Sequence, residues 1–202
     1  DGAMGTQIQG LGFDEDHFRG DRFIGCACHQ KGNNDLLILT QPDAIEDIHY
    51  RYAMAGADIL ETNTFSSTRI AQADYEMEGA VYDLNREGAF IVRRAAQRAE
   101  REDGRRRFVA GAIGPTNRTA SISPDVNNPG YRAVSFDDLR AAYGEQIDGL
   151  IDGGADLILI ETIFDTLNAK AAIFACEERF AAKGIHLPVM IRSEERRVGK
   201  EC

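Results

Sequence analysis

The sequence has 202 residues, of which 43% are hydrophobic and 28% charged, with a net charge of −10. This composition is typical of one soluble globular domain. The acidic balance argues against a nucleic-acid or anionic-membrane partner, and no apolar run approaches the roughly 20 residues that span a bilayer. The four cysteines, Cys26, Cys28, Cys176 and Cys202, suit a reducing compartment better than a disulfide scaffold, which predicts a cytoplasmic protein.

The chain opens on an acidic residue followed by a glycine-rich turn, Asp1, Gly2, Ala3, Met4 and Gly5. Glycine permits unusual backbone angles and lets a ligand approach the main chain closely. We therefore expect a binding loop here, following a strand that would end at Asp1. Residues 10–35 are interpreted as a long polar connection, and residues 36–39 as a short extended segment.

A possible metal motif occurs within that connection, where Cys26 and Cys28 precede His29. No second Cys/His pair follows at a spacing that suits zinc, so a metal role is not favoured. Cys176 lies among apolar residues of a predicted helix and is interpreted as a small apolar filler.

From residue 42 onward, helices and strands alternate. Helices are predicted at 42–55, at 70–101 in two pieces parted near Gly79, at 135–152 and at 166–183; strands are predicted at 57–61, 108–113, 157–160 and 187–191. The long segment 114–134 leaves the end of a strand, and loops of that length are usually functional or disordered. We expect it to be an active-site loop.

The most informative stretch is the apolar run 157–160, which ends on Glu161 and Thr162. A similar unit, Gly-Ala-Asp, a short apolar run and then Glu-Thr, occurs at 56–62, which indicates successive βα units. With the strand implied before Asp1, five parallel strands fit either a doubly wound sheet or a little over half of an eight-stranded barrel. In a barrel, acids at strand ends face the side that carries the chemistry.

Five motifs, at residues 1–6, 31–35, 61–65, 114–125 and 160–170, resemble the homocysteine-binding modules of cobalamin-dependent methionine synthases. Those modules belong to the wider homocysteine S-methyltransferase family, whose betaine-dependent members share the Asp-Gly opening and the strand-end Glu. The resemblance covers residues 1–191 in order. It implies an α/β fold, a partial (β/α)8 TIM-type barrel truncated after about the fifth strand.

The resemblance also implies a reaction. A methyl group passes from methylcobalamin, recharged by methyltetrahydrofolate, to the thiolate of homocysteine on a zinc ion held by three cysteines. The partners implied are homocysteine and the cobalamin and folate modules of a longer chain. The zinc cysteines are expected beyond residue 191. We therefore expect no catalytic residue, no metal ligand and no tightly bound cofactor in this chain, and an inactive fragment.

Substrate-binding residues follow from the same resemblance. Asp1 and Glu161 match acidic positions that hold the amino acid end of the substrate, and an ammonium group between two carboxylates is a sound physical match. The backbone of residues 2–5 would supply further contacts, while Thr62 and Asn117 are weaker candidates. We also expect Asp1 and Glu161 to lie close together.

Residues 192–202 depart from the family pattern, and seven of these eleven residues are charged. We interpret them as an artefactual, disordered tail that packs against nothing, attached to a domain of residues 1–191. Three alternatives remain open. The first is another homocysteine S-methyltransferase, such as a betaine-dependent enzyme. The second is a barrel lyase or hydrolase that uses Asp1, Glu61 and Glu161 as acid and base, and the third is a small-molecule binding barrel without enzymatic activity.

Overall fold

The computed structural model describes residues 2–194. Asp1 and residues 195–202 lie outside the described residues. The predicted closeness of Asp1 and Glu161, and most of the predicted tail, therefore stay predictions.

Helices and strands alternate along most of the described chain. The α-helices are α1 Met4–Gly10, α2 Glu15–Arg19, α3 Leu37–Thr40, α4 Pro42–Met54, α5 Arg69–Gln72, α6 Val81–Asp103, α7 Phe136–Asp152 and α8 Thr166–Lys183. The strands are β1 Ile59–Glu61, β2 Phe108–Ile113, β3 Leu157–Ile163 and β4 Val189–Ser193. Short 3-10 helices cover Asn34–Leu36, Ala73–Tyr75 and Glu78–Ala80.

The four strands form one parallel sheet in the order β1-β2-β3-β4. Each strand lies beside the next one in the chain, as in a barrel, whereas a doubly wound sheet reverses its order partway. The described residues thus form an α/β fold consistent with part of a TIM-type barrel. A fifth strand, implied before Asp1, is outside the described residues, so truncation after it stays a prediction.

The two faces of the sheet differ because side chains alternate along each strand. On β3, Ile158 and Ile160 pack into the main core with α6, α7 and α8, whereas Leu157 and Leu159 point to the opposite, inner face. Glu161, two residues beyond Leu159, continues the inner series. Full burial of each such aliphatic side chain contributes about 1.5–3 kcal/mol.

On the inner face, only a small apolar cluster forms within residues 2–194. It contains Ile59, Ala110, Leu157 and Leu159. Met190 beside it is 44% exposed. No helix covers this face in the described part of the chain, in keeping with the interior of an incomplete barrel.

Several element boundaries predicted from local signals are confirmed. Pro42 occupies the first turn of α4. Ser135 and Asp138 form a reciprocal capping box at the start of α7. Gly184 ends α8 with φ +65, a conformation that glycine adopts without strain. None of the helices in residues 2–194 is long and apolar enough to cross a membrane.

Three local predictions were wrong. The opening loop is helical from Met4, and α2 interrupts the connection 10–35. Residues 36–39 are helical rather than extended, because Leu36, Leu37 and Ile38 are buried all round a helical turn. A short apolar run cannot by itself distinguish a strand from a buried helix.

The close packing of α6 against α7 yields a first prediction. An added Cβ on Gly149 would lie 2.7 Å from Asn85 Cβ and 2.8 Å from the Tyr82 carbonyl oxygen. Gly149→Ala should gain about 1 kcal/mol of helix propensity but lose about 1–3 kcal/mol through overpacking, a net destabilisation in urea unfolding. Gly79→Ala, where an added Cβ meets nothing within 4 Å, is the control. Equal stability of the two variants would contradict the packing argument.

Candidate functional site

A cavity of about 320 Å³ lies at the carboxyl ends of β1 and β3, beside the amino-terminal segment. Its walls come from six parts of the chain, namely residues 2–5, 32–35, 49–52, 60–66, 75 and 161. The lining residues are Gly2, Met4, Gly5, Gly32, Asn33, Asn34, Asp35, His49, Tyr52, Leu60, Glu61, Thr62, Asn63, Phe65, Ser66, Tyr75 and Glu161. Of the candidates predicted from the sequence, the structure thus brings together Gly2, Met4, Gly5, Thr62 and Glu161.

Two carboxyl groups meet at the inner face of the sheet. Glu161 is only 4% exposed, and Glu61, at the end of β1, lines the same cavity. Burial, and then the neighbouring Glu161, raise the pKa of Glu61 to about 8. Glu61 was not expected to bind substrate, although the repeated Gly-Ala-Asp…Glu-Thr unit places it in a position equivalent to Glu161.

A cation also reaches this pair. Arg192 Nη2 lies 2.8 Å from Glu161 Oε2. The sequence assigned Arg192 to a tail without contacts, whereas the structure places it in β4 and in an ion pair. The sequence prediction ended this strand at residue 191, because the residues that follow are mostly charged and break the apolar pattern. In the structure the strand continues to Ser193, and Arg192 is its last inner-facing residue.

The backbone beside Glu161 is strained. Thr162 has φ +55, which a β-branched residue rarely adopts, and the β3–β4 register shifts between Ile160 and Ile163. Such outliers cost about 1–3 kcal/mol and persist where the surrounding structure holds them. Here the irregularity fixes the direction in which the strand leaves Glu161.

Asp35 ties the motif at 31–35 to the loop after β1. Its Oδ2 accepts hydrogen bonds from the Ser66 backbone N–H at 2.7 Å and the Ser67 hydroxyl at 2.8 Å. Nearby, Asn63 Nδ2 donates to the Asn34 carbonyl at 2.8 Å. Burial raises the pKa of Asp35 to about 6. This wall of the cavity is therefore held by polar contacts between two distant motifs.

Thr62, which was predicted to contact the substrate, also connects the loop after β1 to β2 through hydrogen bonds. Its Oγ1 accepts from the Ala112 N–H at 2.8 Å and lies 2.6 Å from Thr64 Oγ1. Because Thr64 donates its own proton to the Ala112 carbonyl, Thr62 donates to Thr64. The hydroxyl proton of Thr62 is therefore used in the hydrogen bond to Thr64. The two hydroxyl groups extend the pairing of β1 with β2 beyond the end of β1.

The amino-terminal segment rests on α4. An added Cβ on Gly2 would fall 2.1–2.3 Å from ring atoms of Tyr52, so only glycine allows this approach. The Ala3 N–H donates to Tyr52 Oη at 2.9 Å, although Ala3 itself does not line the cavity. Tyr52 therefore positions the segment that the sequence indicated as a binding loop.

His49 on α4 lines the same cavity and is 3% exposed. Burial lowers its pKa to about 3, so the imidazole is neutral at physiological pH. Its Nε2 has no hydrogen-bond partner among the described residues. Nothing in the sequence distinguished this histidine from an ordinary core residue.

Asn117 and the long loop lie elsewhere. Asn117 is exposed and hydrogen-bonds to Asp74, and none of residues 114–134 lines the cavity. The start of the loop is instead anchored at α8, where Ser121 Oγ donates to Asp165 Oδ1 at 2.8 Å and Asn168 Nδ2 to Thr116 Oγ1 at 3.0 Å. Its part in an active site stays a prediction.

Within residues 2–194, no three His, Cys, Asp or Glu side chains are placed to hold a metal ion. Cys26, Cys28 and Cys176 are free thiols. Cys176 is buried in α8, and burial raises its pKa to about 12, as expected of an apolar filler.

Fold and cavity together define a parallel α/β protein of barrel type with acidic groups at the strand ends. Residues 1–197 match the model of the homocysteine S-methyltransferase family, and the chain belongs to that family.

Solved structures agree with the fold. The homocysteine methyltransferase MmuM from Escherichia coli in its metallated form is 22% identical, with a TM-score of 0.65 over 91% of this chain. Its oxidized form is 22% identical with a TM-score of 0.64 over 91%, and its apo form 21% with 0.63 over 97%. The chain spans only 57–59% of the length of these structures.

The buried carboxyl group of Asp35 yields a prediction on pH. Its folded-state pKa of about 6 exceeds the unfolded value of about 3.9, so its contribution to stability is present below pH 4 and lost as pH rises through 6. The stability of Asp35→Asn relative to wild type should therefore rise by about 2 kcal/mol between pH 4 and pH 7. Urea unfolding at several pH values measures this, with exposed Asp16→Asn as control. A flat difference for Asp35→Asn would contradict it.

Proposed function

We propose that this chain binds L-homocysteine in the cavity at the ends of β1 and β3, and supplies that site to a methyltransferase that forms methionine. The observation that carries the proposal is the inner-face carboxyl pair, Glu61 and Glu161, in a chain of the homocysteine S-methyltransferase family. A buried carboxylate is a natural receptor for the ammonium group of an amino acid. The described lining residues include no lysine or arginine, and the cation at this site is Arg192, which pairs with Glu161 from β4.

The proposed substrate pose follows from these groups. The ammonium group faces Glu161, with Asp1 as the second acid, and the backbone of residues 2–5 contacts the carboxylate end. Thr62 supports the wall through its hydrogen bonds to β2. The side chain of homocysteine then points towards the open inner side of the sheet.

We infer further that the complete enzyme is a cobalamin-dependent methionine synthase. The longer motifs, at 114–125 and 160–170, support this branch. Its methyl donor would be methylcobalamin on a separate module, recharged by methyltetrahydrofolate on another. Zinc, when bound, favours the thiolate form of homocysteine, which is the nucleophile. Residues 2–194 do not fit a zinc site, so we assign the metal to cysteines outside this chain.

A homocysteine methyltransferase with a different methyl donor is the second candidate. The structural likeness to MmuM from E. coli, a homocysteine methyltransferase, fits it equally well. An assay of a longer protein, one that includes the expected cysteine segments, distinguishes the two. Methylation of homocysteine from methylcobalamin supports the first candidate, and methylation from betaine or another small donor supports the second. The free thiols are compatible with a cytoplasmic location, which we also propose.

Homocysteine binding tests the site itself. Glu161→Gln should weaken binding about ten- to hundredfold, because hydrogen bonds to charged groups contribute about 1.5–3 kcal/mol. Isothermal titration calorimetry of the 202-residue chain measures the change. Glu177→Gln, an exposed substitution on α8 outside the cavity, is the matched control. Unchanged affinity in Glu161→Gln would rule out this site for the ammonium group.

Turnover is expected to require more than this chain. A catalytic zinc site needs about three protein ligands with one open position. We therefore expect the purified 202-residue chain neither to retain zinc after dialysis nor to methylate homocysteine from methylcobalamin. Metal analysis and a methionine assay measure both. One zinc ion per chain together with turnover would show that the proposed division of the site is wrong.

A further inference from the structure

Helix α4 presents two polar side chains to the cavity, those of His49 and Tyr52. They are three residues apart in the sequence, so they lie about one turn apart on the same face of the helix. The strand ends contribute the carboxyl groups of Glu61 and Glu161 to the same cavity. One wall of the cavity therefore carries acidic groups, and another carries groups that can donate hydrogen bonds.

The imidazole of His49 is buried without a partner. The residue is 3% exposed, and its Nε2 makes no hydrogen bond within residues 2–194. Because burial lowers its pKa to about 3, the ring is neutral at physiological pH and has one N–H donor and one acceptor nitrogen. A buried polar atom without a partner costs stability, and in native proteins it indicates a functional role, a water molecule or an ion.

Tyr52 also has a donor to offer. Its Oη accepts the Ala3 N–H at 2.9 Å, and a phenol that accepts one hydrogen bond still has its own proton to donate. Other polar side chains of the cavity already have partners within the protein, namely Asp35, Thr62 and Asn63. The donors on α4 are therefore better placed to serve a ligand than these three groups.

The donors on α4 lie next to the segment that the proposed pose assigns to the carboxylate end of homocysteine. Tyr52 holds that segment, residues 2–5, through the Ala3 N–H and through its close approach to Gly2. A carboxylate has only acceptor oxygens, so it needs donors. No lysine or arginine is among the described lining residues, so an imidazole N–H and a phenol O–H supply the hydrogen bonds instead.

Resting on the function proposed above, we propose that His49 selects an α-amino acid over a simple amine, because its imidazole N–H, beside the hydroxyl group of Tyr52, donates to the carboxylate of homocysteine. The bound carboxylate supplies the partner that the imidazole lacks in the free protein. His49 thus lowers the stability of the free protein and raises its affinity for the ligand. A histidine with only a structural role would do neither.

The experiment compares two ligands and two proteins by calorimetry on the 202-residue chain. L-Homocysteine carries the carboxylate, whereas 3-aminopropane-1-thiol has the same ammonium group, chain and thiol without it. His49→Leu removes both ring nitrogens and keeps an apolar side chain that suits a helix. It should weaken homocysteine binding about ten- to hundredfold, the range for a hydrogen bond to a charged group, and leave the affinity for the amine unchanged.

The stability of the ligand-free protein provides an independent measurement. Since Nε2 has no partner within residues 2–194, His49→Leu should raise the midpoint of urea unfolding. His49→Gln keeps a buried amide whose N–H can reach a carboxylate, so it should recover most of the lost homocysteine affinity without that gain in stability. Met54→Leu, at a 42% exposed position of α4 outside the cavity, is the matched control and should change neither quantity.

The outcomes separate this inference from the proposed function. Equal homocysteine affinity in wild type and His49→Leu would overturn the inference and leave the proposed function standing. The same loss for both ligands, with a lower urea midpoint, would show that His49 serves the fold and would also overturn it. Failure of wild type to bind homocysteine would overturn both. If His49→Leu does not fold, His49→Met, with a flexible apolar side chain, takes its place. If the amine binds too weakly to measure, recovery of affinity in His49→Gln decides.

Discussion

Alternation of side chains along β3 is the constraint on which the site depends. Ile158 and Ile160 are fixed in the helical core, so Leu157, Leu159 and Glu161 must face inward. A shift of the strand by one residue would carry Glu161 into the apolar layer beneath the helices, where an unpaired charge costs several kcal/mol. The packing that stabilises the sheet therefore also places the carboxyl group of Glu161 at the inner face.

The loop after β1 shows how motifs far apart in the chain act together. Residues 31–35 and 61–67 contain few apolar side chains, yet they form one wall through Asp35, Asn63 and their backbone partners. Such polar contacts are directional, so they fix positions to within a few tenths of an ångström where apolar packing would tolerate sliding. This explains why two short polar motifs carried much of the family resemblance.

How much the sequence could predict depended on the range of the interactions involved. The apolar run before Glu161, the capping box at Ser135 and the glycine at 184 are local signals, and they located β3, α7 and α8 correctly. That Glu61 and Glu161 line one cavity could not be predicted, because it depends on the stagger of the strands across β2. The helical state of residues 36–39 was missed since burial all round an element removes its periodicity. The position of Arg192 in β4 was not predicted, because a charged residue is not expected in a buried strand.

The consecutive order of the strands bears on how the molecule acquires its structure. Each strand pairs with the one immediately before it, so every pairing closes one βα unit and none requires a distant part of the chain. Each pairing can therefore form as soon as its second strand has been synthesised. The cavity walls at β1 and the residue 31–35 motif can thus be in place before β3 brings Glu161 to them. Assembly would then proceed in the direction of translation, with the two acids brought to one cavity only when β3 pairs with β2.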